Sequence, residues 1–315
     1  MRASVLIMRP VPPFRLDLTV WALRRRARNA IDRWDGSVYR RVIVVAGRPT
    51  EVAVRQSGSA ASPRLLVTAT PPIGPPAGRR CVHATVDRLL GVRVDLGEWY
   101  RLARQDARLR PLAEQFRGVK PPRFPTMFEA LTNAFACQQL SLEVGLELLN
   151  RLAALCDVTP ETDGAYYGFP QPADVARLPS AKYQAVGFSR QKVRALLTLA
   201  RAVERHDVDL EALAADEDSE ACARLMQLRG VGRWTAEYVL LRGLGRLHVF
   251  PGDDVGAQKR LARWLGRPSA LDYAGVRRAV RRWRPYAGMV YFHLLLDGLS
   301  QAGALNAAES SRGDQ

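Results

Sequence analysis

Short β-branched runs and two amphipathic segments make up the first hundred residues. Three runs have the composition of strands and are separated by turns rich in Gly, Pro and Ser: residues 38–45, 51–55 and 65–70. Helical periodicity is found over residues 21–34 and 81–90, whereas residues 1–12 have the pattern of a basic lead-in without a regular element. Two helices against a small antiparallel sheet predict an α+β domain over residues 1–110.

The first predicted helix has four closely spaced arginines, Arg24, Arg25, Arg26 and Arg28. We interpret them as the solvated face of that helix. Nothing else in this domain suggests chemistry, so we expect it to support the remainder of the chain.

Beyond residue 101 the strand signals nearly disappear and apolar positions recur with helical spacing. The predicted helices are 128–155, 180–204 with an interruption at 187–188, 218–228, 233–241, 255–265, 276–283 and 288–299. The pattern therefore predicts an all-α domain over residues 111–302. Residues 303–315 are small and polar, and we expect a disordered tail.

The charge balance points to a polyanionic partner. Lys and Arg total 47 against 31 Asp and Glu, which gives a net charge of +16 and a pI of about 10.5. An arginine-rich genome could also produce this excess. The first apolar run, residues 5–8, is too short for a signal peptide or a membrane span. We therefore expect nucleic acid as the partner and a cytoplasmic location, associated with the nucleoid in a bacterium.

The four cysteines argue against a metal cluster. Cys81, Cys137, Cys156 and Cys222 are widely scattered and no pair has the C-x-x-C spacing. We expect reduced structural thiols and no required organic cofactor.

Two glycines stand one residue apart between two predicted helices. Gly230 and Gly232 allow a tight turn with bare backbone, and the amide groups of Val231, Arg233 and the following helix N-terminus suit a phosphate oxygen. Such a turn grips a nucleic-acid backbone without reading bases. The alternative is a plain helix cap and turn.

Two further features follow this turn. Trp234 and Tyr238 are spaced to share a helix face, as core residues or as the wall of a pocket. Asp253 and Asp254 immediately precede the helix predicted at residues 255–265, where an Asp commonly caps the helix. A carboxylate there is held ionised by the helix dipole and could stabilise a developing positive charge.

Together, the hairpin at residues 228–232, the second helix and the Gly/Pro loop ending in Asp resemble the helix-hairpin-helix DNA glycosylases. The segments Gly-Arg-Trp-Thr-Ala-Glu-Tyr and Phe-Pro-Gly-Asp-Asp are most similar to the 3-methyladenine DNA glycosylase II group. The resemblance covers residues 122–298, and more weakly the preceding hundred.

The resemblance implies roles for several residues. Asp254 matches the catalytic Asp, which would stabilise the cationic deoxyribose and orient water, while Asp253 would cap the helix or brace its neighbour. Trp234 stands where strand-cleaving members have a Lys nucleophile, so a glycosylase without lyase activity is expected. Trp234 and Tyr238 would stack on a cationic alkylated purine.

The resemblance also implies contacts with DNA and with a cation. Gln138 or Gln139 would fill the gap left by a flipped base, and Ser141 would touch a phosphate. Some relatives have an apolar residue in place of Gln139, and a polar solvent-facing helix side is the alternative. Backbone carbonyls, those of Met226, Leu228 and Val231, would bind Na⁺ or K⁺.

We therefore expect a monomeric, monofunctional DNA glycosylase of base-excision repair. Its substrate would be double-stranded DNA that contains an alkylated purine such as 3-methyladenine, and its product an abasic site. Two alternatives stay open. One is a glycosylase for uracil, hypoxanthine or an oxidised purine, and the other is a DNA-damage binding protein without catalysis.

Overall fold

A computed structural model describes residues 5–74, 76–160 and 166–305, which form an antiparallel sheet and a helical body. The strands of the sheet are β1 (Val5–Met8), β2 (Arg33–Trp34), β3 (Val38–Val45), β4 (Arg48–Ser57) and β5 (Arg64–Thr70). Their order is β1-β5-β4-β3-β2, and all neighbours are antiparallel. The three predicted strands correspond to β3, β4 and β5.

The prediction of a lead-in without structure over residues 1–12 is wrong, because β1 lies there. It pairs with β5 in a register that runs from Val5 opposite Thr68 to Met8 opposite Leu65. Alternate side chains of the run face the core: Met8 is 2% exposed and Leu6 packs against its neighbours. Four apolar residues are thus enough for an edge strand.

The first predicted helix is misplaced. Helix α1 spans Leu16–Arg24 rather than residues 21–34. It ends because Arg25 adopts a left-handed conformation with φ 63°, in which its N–H bonds the carbonyl of Trp21. The strand β2 occupies the end of the predicted helix and pairs with β3.

The helical region confirms the all-α prediction. The helices after α1 are α2 (Pro76–Leu90), α3 (Gly97–Gln105), α4 (Leu109–Gln115), α5 (Met127–Cys137), α6 (Leu142–Cys156), α7 (Pro172–Ala176), α8 (Ser180–Ala185), α9 (Arg190–Glu204), α10 (Asp218–Gln227), α11 (Arg233–Val239), α12 (Val255–Trp264), α13 (Tyr273–Val280) and α14 (Ala287–Gln301). A π-helical turn over Leu240–Leu244 extends α11.

One predicted helix, residues 128–155, is in fact the pair α5 and α6. The chain leaves the helical conformation at Gln138 and turns at Gln139, which has φ 57°. Ser141 then caps α6. The apolar spacing continues through this turn, so periodicity alone gives no sign of the break.

Three clusters of buried side chains form the core. One lies between the sheet and helices α1 and α2, a second within α5–α11, and a third joins α1, α3 and α4 to α12–α14. The domain boundary predicted at residues 110 and 111 falls inside α4, and it stays a prediction. Residues 306–315 of the predicted tail lie outside the described residues.

A buried ion-pair cluster attaches the sheet to α5. Arg41 of β3 donates to Asp32 Oδ1 at 2.7 Å and to both carboxylate oxygens of Glu129 at 2.6 Å. The three side chains are at most 5% exposed. Because α5 ends at the turn beside the hairpin, this cluster fixes the helix that carries Gln138.

Candidate active site

The hairpin between α10 and α11 depends on its first glycine. Gly230 has φ +83°, and a Cβ there would lie 2.8 Å from the Cβ of Ala195 in α9. Both the conformation and the close approach exclude a side chain. Gly232 is the N-cap of α11 and has open space beside its Cα, so this backbone is accessible from outside.

The two glutamines beside the hairpin have different environments. The Gln138 amide donates to the Gly230 carbonyl and to Thr235 Oγ1, both at 2.8 Å, so it joins the end of α5 to the hairpin. Gln139 is exposed and sits at the strained turn. Of the two candidates for filling a gap in DNA, Gln139 is therefore the one directed at solvent, while its role stays a prediction.

The turn that carries these glutamines is held by a lysine that sequence reasoning missed. Lys192 of α9 donates from Nζ to the carbonyls of Ala136 and Gln138 at 2.8 Å each, which satisfies the C-terminus of α5. Burial lowers the pKa of Lys192. Ser141 uses its hydroxyl to accept from Val144 N at 3.3 Å, so the predicted phosphate contact would be made beside a cap.

Asp254 is the N-cap of α12, and its two carboxylate oxygens have separate partners. Oδ1 accepts from Ala257 N at 2.7 Å, and Oδ2 accepts from the hydroxyl of Tyr291 at 3.2 Å. Burial raises the pKa of Tyr291 well above its ordinary value, and the charge of Asp254 raises it further, so the phenol keeps its proton and donates. Each carboxylate oxygen retains a lone pair for another contact.

One of the two roles predicted for Asp253 was to cap the helix. That prediction is wrong, because Asp254 is the N-cap of α12. Its Oδ2 accepts from Arg233 Nε at 2.7 Å. The guanidinium of Arg233 also lies over the ring of Tyr273, 3.8 Å from the centroid. Asp253 thus links its loop to the hairpin, which agrees with the predicted bracing role.

A buried carboxylate holds the loop before Asp254. Glu237 of α11 accepts from Gly252 N at 2.8 Å and from the hydroxyl of Tyr273 at 2.7 Å. A Cβ at Gly252 would lie 2.6 Å from the Tyr273 ring, so only glycine fits against it. Through these contacts α11 sets the position of the loop that carries Asp254.

The predicted aromatic face of α11 is present, and the ring of Tyr238 lies on the buried side of the ring of Trp234. Trp234 and Tyr238 stack with centroids 5.5 Å apart and planes at 26°. Trp234 is partly exposed, whereas Tyr238 is 3% exposed and belongs to the core. Burial raises the pKa of Tyr238, and the negative charge of Asp254 adds a smaller contribution in the same direction.

Arg24 and Arg25, which were expected on a solvated face, are buried instead, and Arg25 lies behind the stack. Arg25 is 5% exposed and donates to Tyr238 Oη at 2.9 Å and to Asn133 Oδ1 at 2.8 Å. Arg242 is also buried, with bonds to the carbonyls of Ala22 and Leu23. Neither forms an ion pair with a carboxylate of the described residues. Their guanidinium groups contact polar oxygen atoms and aromatic rings, and the Nε of each is buried without a hydrogen-bond partner among the described residues.

The carbonyls expected to bind a cation lie at the end of α10. Leu228 is extended, with ψ 139°, and its carbonyl accepts from Val231 N at 3.1 Å. A carbonyl oxygen has two lone pairs, so one stays free for a cation. Binding of a cation by the carbonyls of Met226, Leu228 and Val231 stays a prediction. Among the described residues, no group of three His, Cys, Asp or Glu side chains could hold a metal.

Comparison with known proteins shows which family the sequence around this site resembles. Residues 133–285 match the sequence profile of the HhH-GPD superfamily of base excision DNA repair proteins. The chain contains an HhH-GPD domain. This range includes the hairpin, the aromatic stack and Asp254.

Named relatives and solved structures agree. The DNA-3-methyladenine glycosylase of Bacillus subtilis (strain 168) is 28% identical over 205 residues, 64% of this chain and 68% of that protein. DNA-3-methyladenine glycosylase 2 of Escherichia coli (strain K12) is 27% identical over 56% of this chain and 60% of its own length. The 3-methyladenine DNA glycosylase from Archaeoglobus fulgidus superposes with a TM-score of 0.81 and 25% identity, covering 92% of this chain and 97% of that one.

No helix in the described ranges has both the length and the apolar character needed to cross a membrane.

Proposed function

We propose that the protein is a monofunctional glycosylase that removes alkylated purines such as 3-methyladenine from double-stranded DNA and leaves an abasic site. The observation that carries the proposal is the carboxylate of Asp254, oriented by Ala257 N and Tyr291 on a loop that Glu237 links to α11, the helix of the stacked Trp234 and Tyr238. The names of the Bacillus, Escherichia and Archaeoglobus relatives support an alkylated purine as the substrate.

The reaction begins when the flipped base leaves with the electrons of its N-glycosidic bond. Positive charge then develops at C1′ of the deoxyribose, and the fixed anion of Asp254 stabilises it. A water molecule adds to C1′, directed by a remaining lone pair of the carboxylate, and loses a proton. Alkylation at N3 or N7 makes the base cationic, so it departs as a neutral molecule. The partly exposed Trp234 stacks on the cationic base beforehand.

The absence of lyase activity is part of the proposal. Strand cleavage of this kind needs an amine that attacks C1′, and the matching position holds Trp234. Lys192 is the one specific reason to consider a second, bifunctional enzyme, because its pKa is lowered and it lies at the α5 turn. Its Nζ is held by two carbonyls, which favours a structural role. Borohydride trapping on an abasic duplex distinguishes the two: a covalent adduct lost in Lys192→Gln would establish the bifunctional alternative.

Contacts with DNA are assigned to the hairpin and the α5–α6 turn. The amides around Gly232 and Arg233 would bind a phosphate, and Gln139 would fill the gap left by the flipped base. Ser141 would contact a neighbouring phosphate, and Na⁺ or K⁺ at the hairpin carbonyls would strengthen the backbone contact. We also propose that the protein acts as a monomer in the cytoplasm.

The decisive experiment compares base release from alkylated duplex DNA by the wild type, Asp254→Asn and Asp253→Asn. Asn retains the helix cap, so Asp254→Asn should fold and bind DNA yet release almost no 3-methyladenine. Asp253→Asn, which loses only the Arg233 pair, should retain most of the rate. Binding without release by the wild type would overturn the proposal for these lesions. A panel with uracil, hypoxanthine and an oxidised purine would then separate another specificity from a silent binder.

A further inference from the structure

An arginine-lined groove runs beside the hairpin, on the surface of α9. It has a volume of about 680 Å³ and lies between α8, α9 and the hairpin. Four of its lining residues are arginines, and none of the lining residues is acidic: Arg190, Arg194, Arg201 and Arg229. We call this surface the α9 groove.

Three of the arginines form a row on one side of α9. Arg190, Arg194 and Arg201 are separated by four and seven residues, so they fall within about 40° around the helix axis. At 1.5 Å per residue the row extends about 16 Å along the helix. One DNA strand carries a phosphate about every 3.4 Å of axis, so this length corresponds to about five phosphates.

The four guanidinium groups of the α9 groove have no anionic partner among the described residues. Arg190, Arg194, Arg201 and Arg229 are exposed, and none forms an ion pair with a carboxylate in the described part of the chain. Arg233, four residues after Arg229, is instead paired with Asp253. Four unpaired cations around one concave surface without acids are complementary to a polyanion.

The groove is continuous with the hairpin because of Gly230. This residue lies against Ala195 on α9 with room for no side chain, and both residues line the groove. Arg229 precedes it and also lines the groove. A phosphate backbone bound at the hairpin amides would therefore continue along the surface of α9.

We propose that the α9 groove binds the sugar-phosphate backbone of duplex DNA on one side of the lesion and extends the DNA footprint beyond the hairpin. This rests on the proposed function, because it needs DNA at the hairpin. Each arginine binds a phosphate as a charge and a forked donor, without selecting sequence. The groove therefore adds affinity and salt dependence, and leaves the choice of base to the proposed site around Trp234 and Asp254.

The test measures DNA affinity against salt concentration for the double variant R194Q/R201Q. The matched control is R79Q/R80Q on α2, which removes two exposed arginines that also lack ion pairs among the described residues. Duplexes with an abasic analogue are extended on only the 5′ side, on only the 3′ side, or on neither. Loss of two phosphate contacts should lower the slope of log K against log salt by about 2.

We expect the slope of log K against log salt to decrease for R194Q/R201Q on one of the extended duplexes only. R79Q/R80Q should show no comparable decrease. Equal losses in both variants would mean a general effect of net charge and would overturn the assignment. So would an unchanged slope in R194Q/R201Q, or an equal loss on the unextended duplex. These measurements follow binding rather than base release, so failure of the glycosylase proposal is seen separately, in the Asp254→Asn comparison.

Discussion

The hydroxyl of Tyr291 donates to Oδ2 of Asp254 over 3.2 Å and thereby joins α14 to the N-terminus of α12. The two residues are 37 positions apart and come from separate helices, so their contact exists only in the folded protein. It orients the carboxylate oxygen that Ala257 N leaves free. Tyr291 is therefore a positioning residue for the proposed reaction.

Removing this hydroxyl should slow base release more than it weakens binding. A hydrogen bond to a charged group contributes about 1.5–3 kcal/mol, so Tyr291→Phe should reduce the single-turnover rate about 10-fold or more. The DNA dissociation constant should change little. Tyr166→Phe, at an exposed tyrosine, serves as the control. In an Asp254→Asn background the further loss from Tyr291→Phe should vanish, and full additivity would show that the two residues act independently.

Glu237 should set the position of Asp254 through Gly252. Glu237→Ala leaves the Gly252 N–H buried without its partner, which costs about 1–3 kcal/mol in the free energy of unfolding. The same change should lower the rate of base release, because the loop before Asp254 is no longer held. Chemical denaturation and single-turnover excision measure the two effects.

Tyr273→Phe is the matched control for Glu237→Ala. It removes only the hydrogen bond from the Tyr273 hydroxyl to Glu237 and leaves the one from Gly252 N. It should leave the rate much closer to the wild type. If Glu237→Ala lost stability but excised at the wild-type rate, the loop would be positioned by other contacts.

Sequence patterns predicted the elements whose signals are local. The β-branched run at residues 38–45 coincides with β3, and the hairpin helices begin within a residue of their predicted starts. The break between α5 and α6 was missed because it depends on the left-handed turn at Gln139, which is held by Lys192 from another helix. The spacing of apolar residues along the sequence cannot reveal a contact that comes from another helix.

The same limit applies to the candidate site. Asp254, Trp234 and the glycines could be selected because they lie within one short stretch with a recognisable spacing. Tyr291 lies in an apolar helix without any polar pattern, and Arg25 belongs to an arginine run that has the composition of a solvent face. Only the contacts of Arg25 with Tyr238 of α11 and Asn133 of α5 in the folded protein show that it is buried.

Arg25 should hold Tyr238 in place behind Trp234. Its planar fork donates to both Tyr238 and Asn133, and a lysine ammonium cannot reproduce two parallel donors. Arg25→Lys should therefore cost about 1–3 kcal/mol of stability and slow base release. Arg26→Lys, the neighbouring residue with a pair at the surface to Glu143, should change stability by less than about 1 kcal/mol. Similar losses in both variants would contradict a special role for Arg25.

His293 should make the protein less stable in acid. It is fully buried on α14, its Nδ1 lies 2.7 Å from the Met289 carbonyl, and its Nε2 has no hydrogen-bond partner in the described part of the chain. Burial lowers its pKa from 6.5 to about 4, so between these values the unfolded chain binds a proton that the folded protein does not. The stability associated with neutral His293 is complete above pH 6.5 and is lost as the pH falls towards 4, by at most about 1.4 kcal/mol per pH unit.

Substitution of His293 by Leu should remove this proton-linked loss. The free energy of unfolding, measured by urea denaturation from pH 7 to pH 4, should fall less steeply for His293→Leu than for the wild type. His83→Leu, at an exposed histidine on α2, should retain the wild-type slope. Carboxylates contribute equally to all three proteins, so the difference between the curves isolates the histidine. Parallel curves for His293→Leu and the wild type would show that His293 is protonated without unfolding.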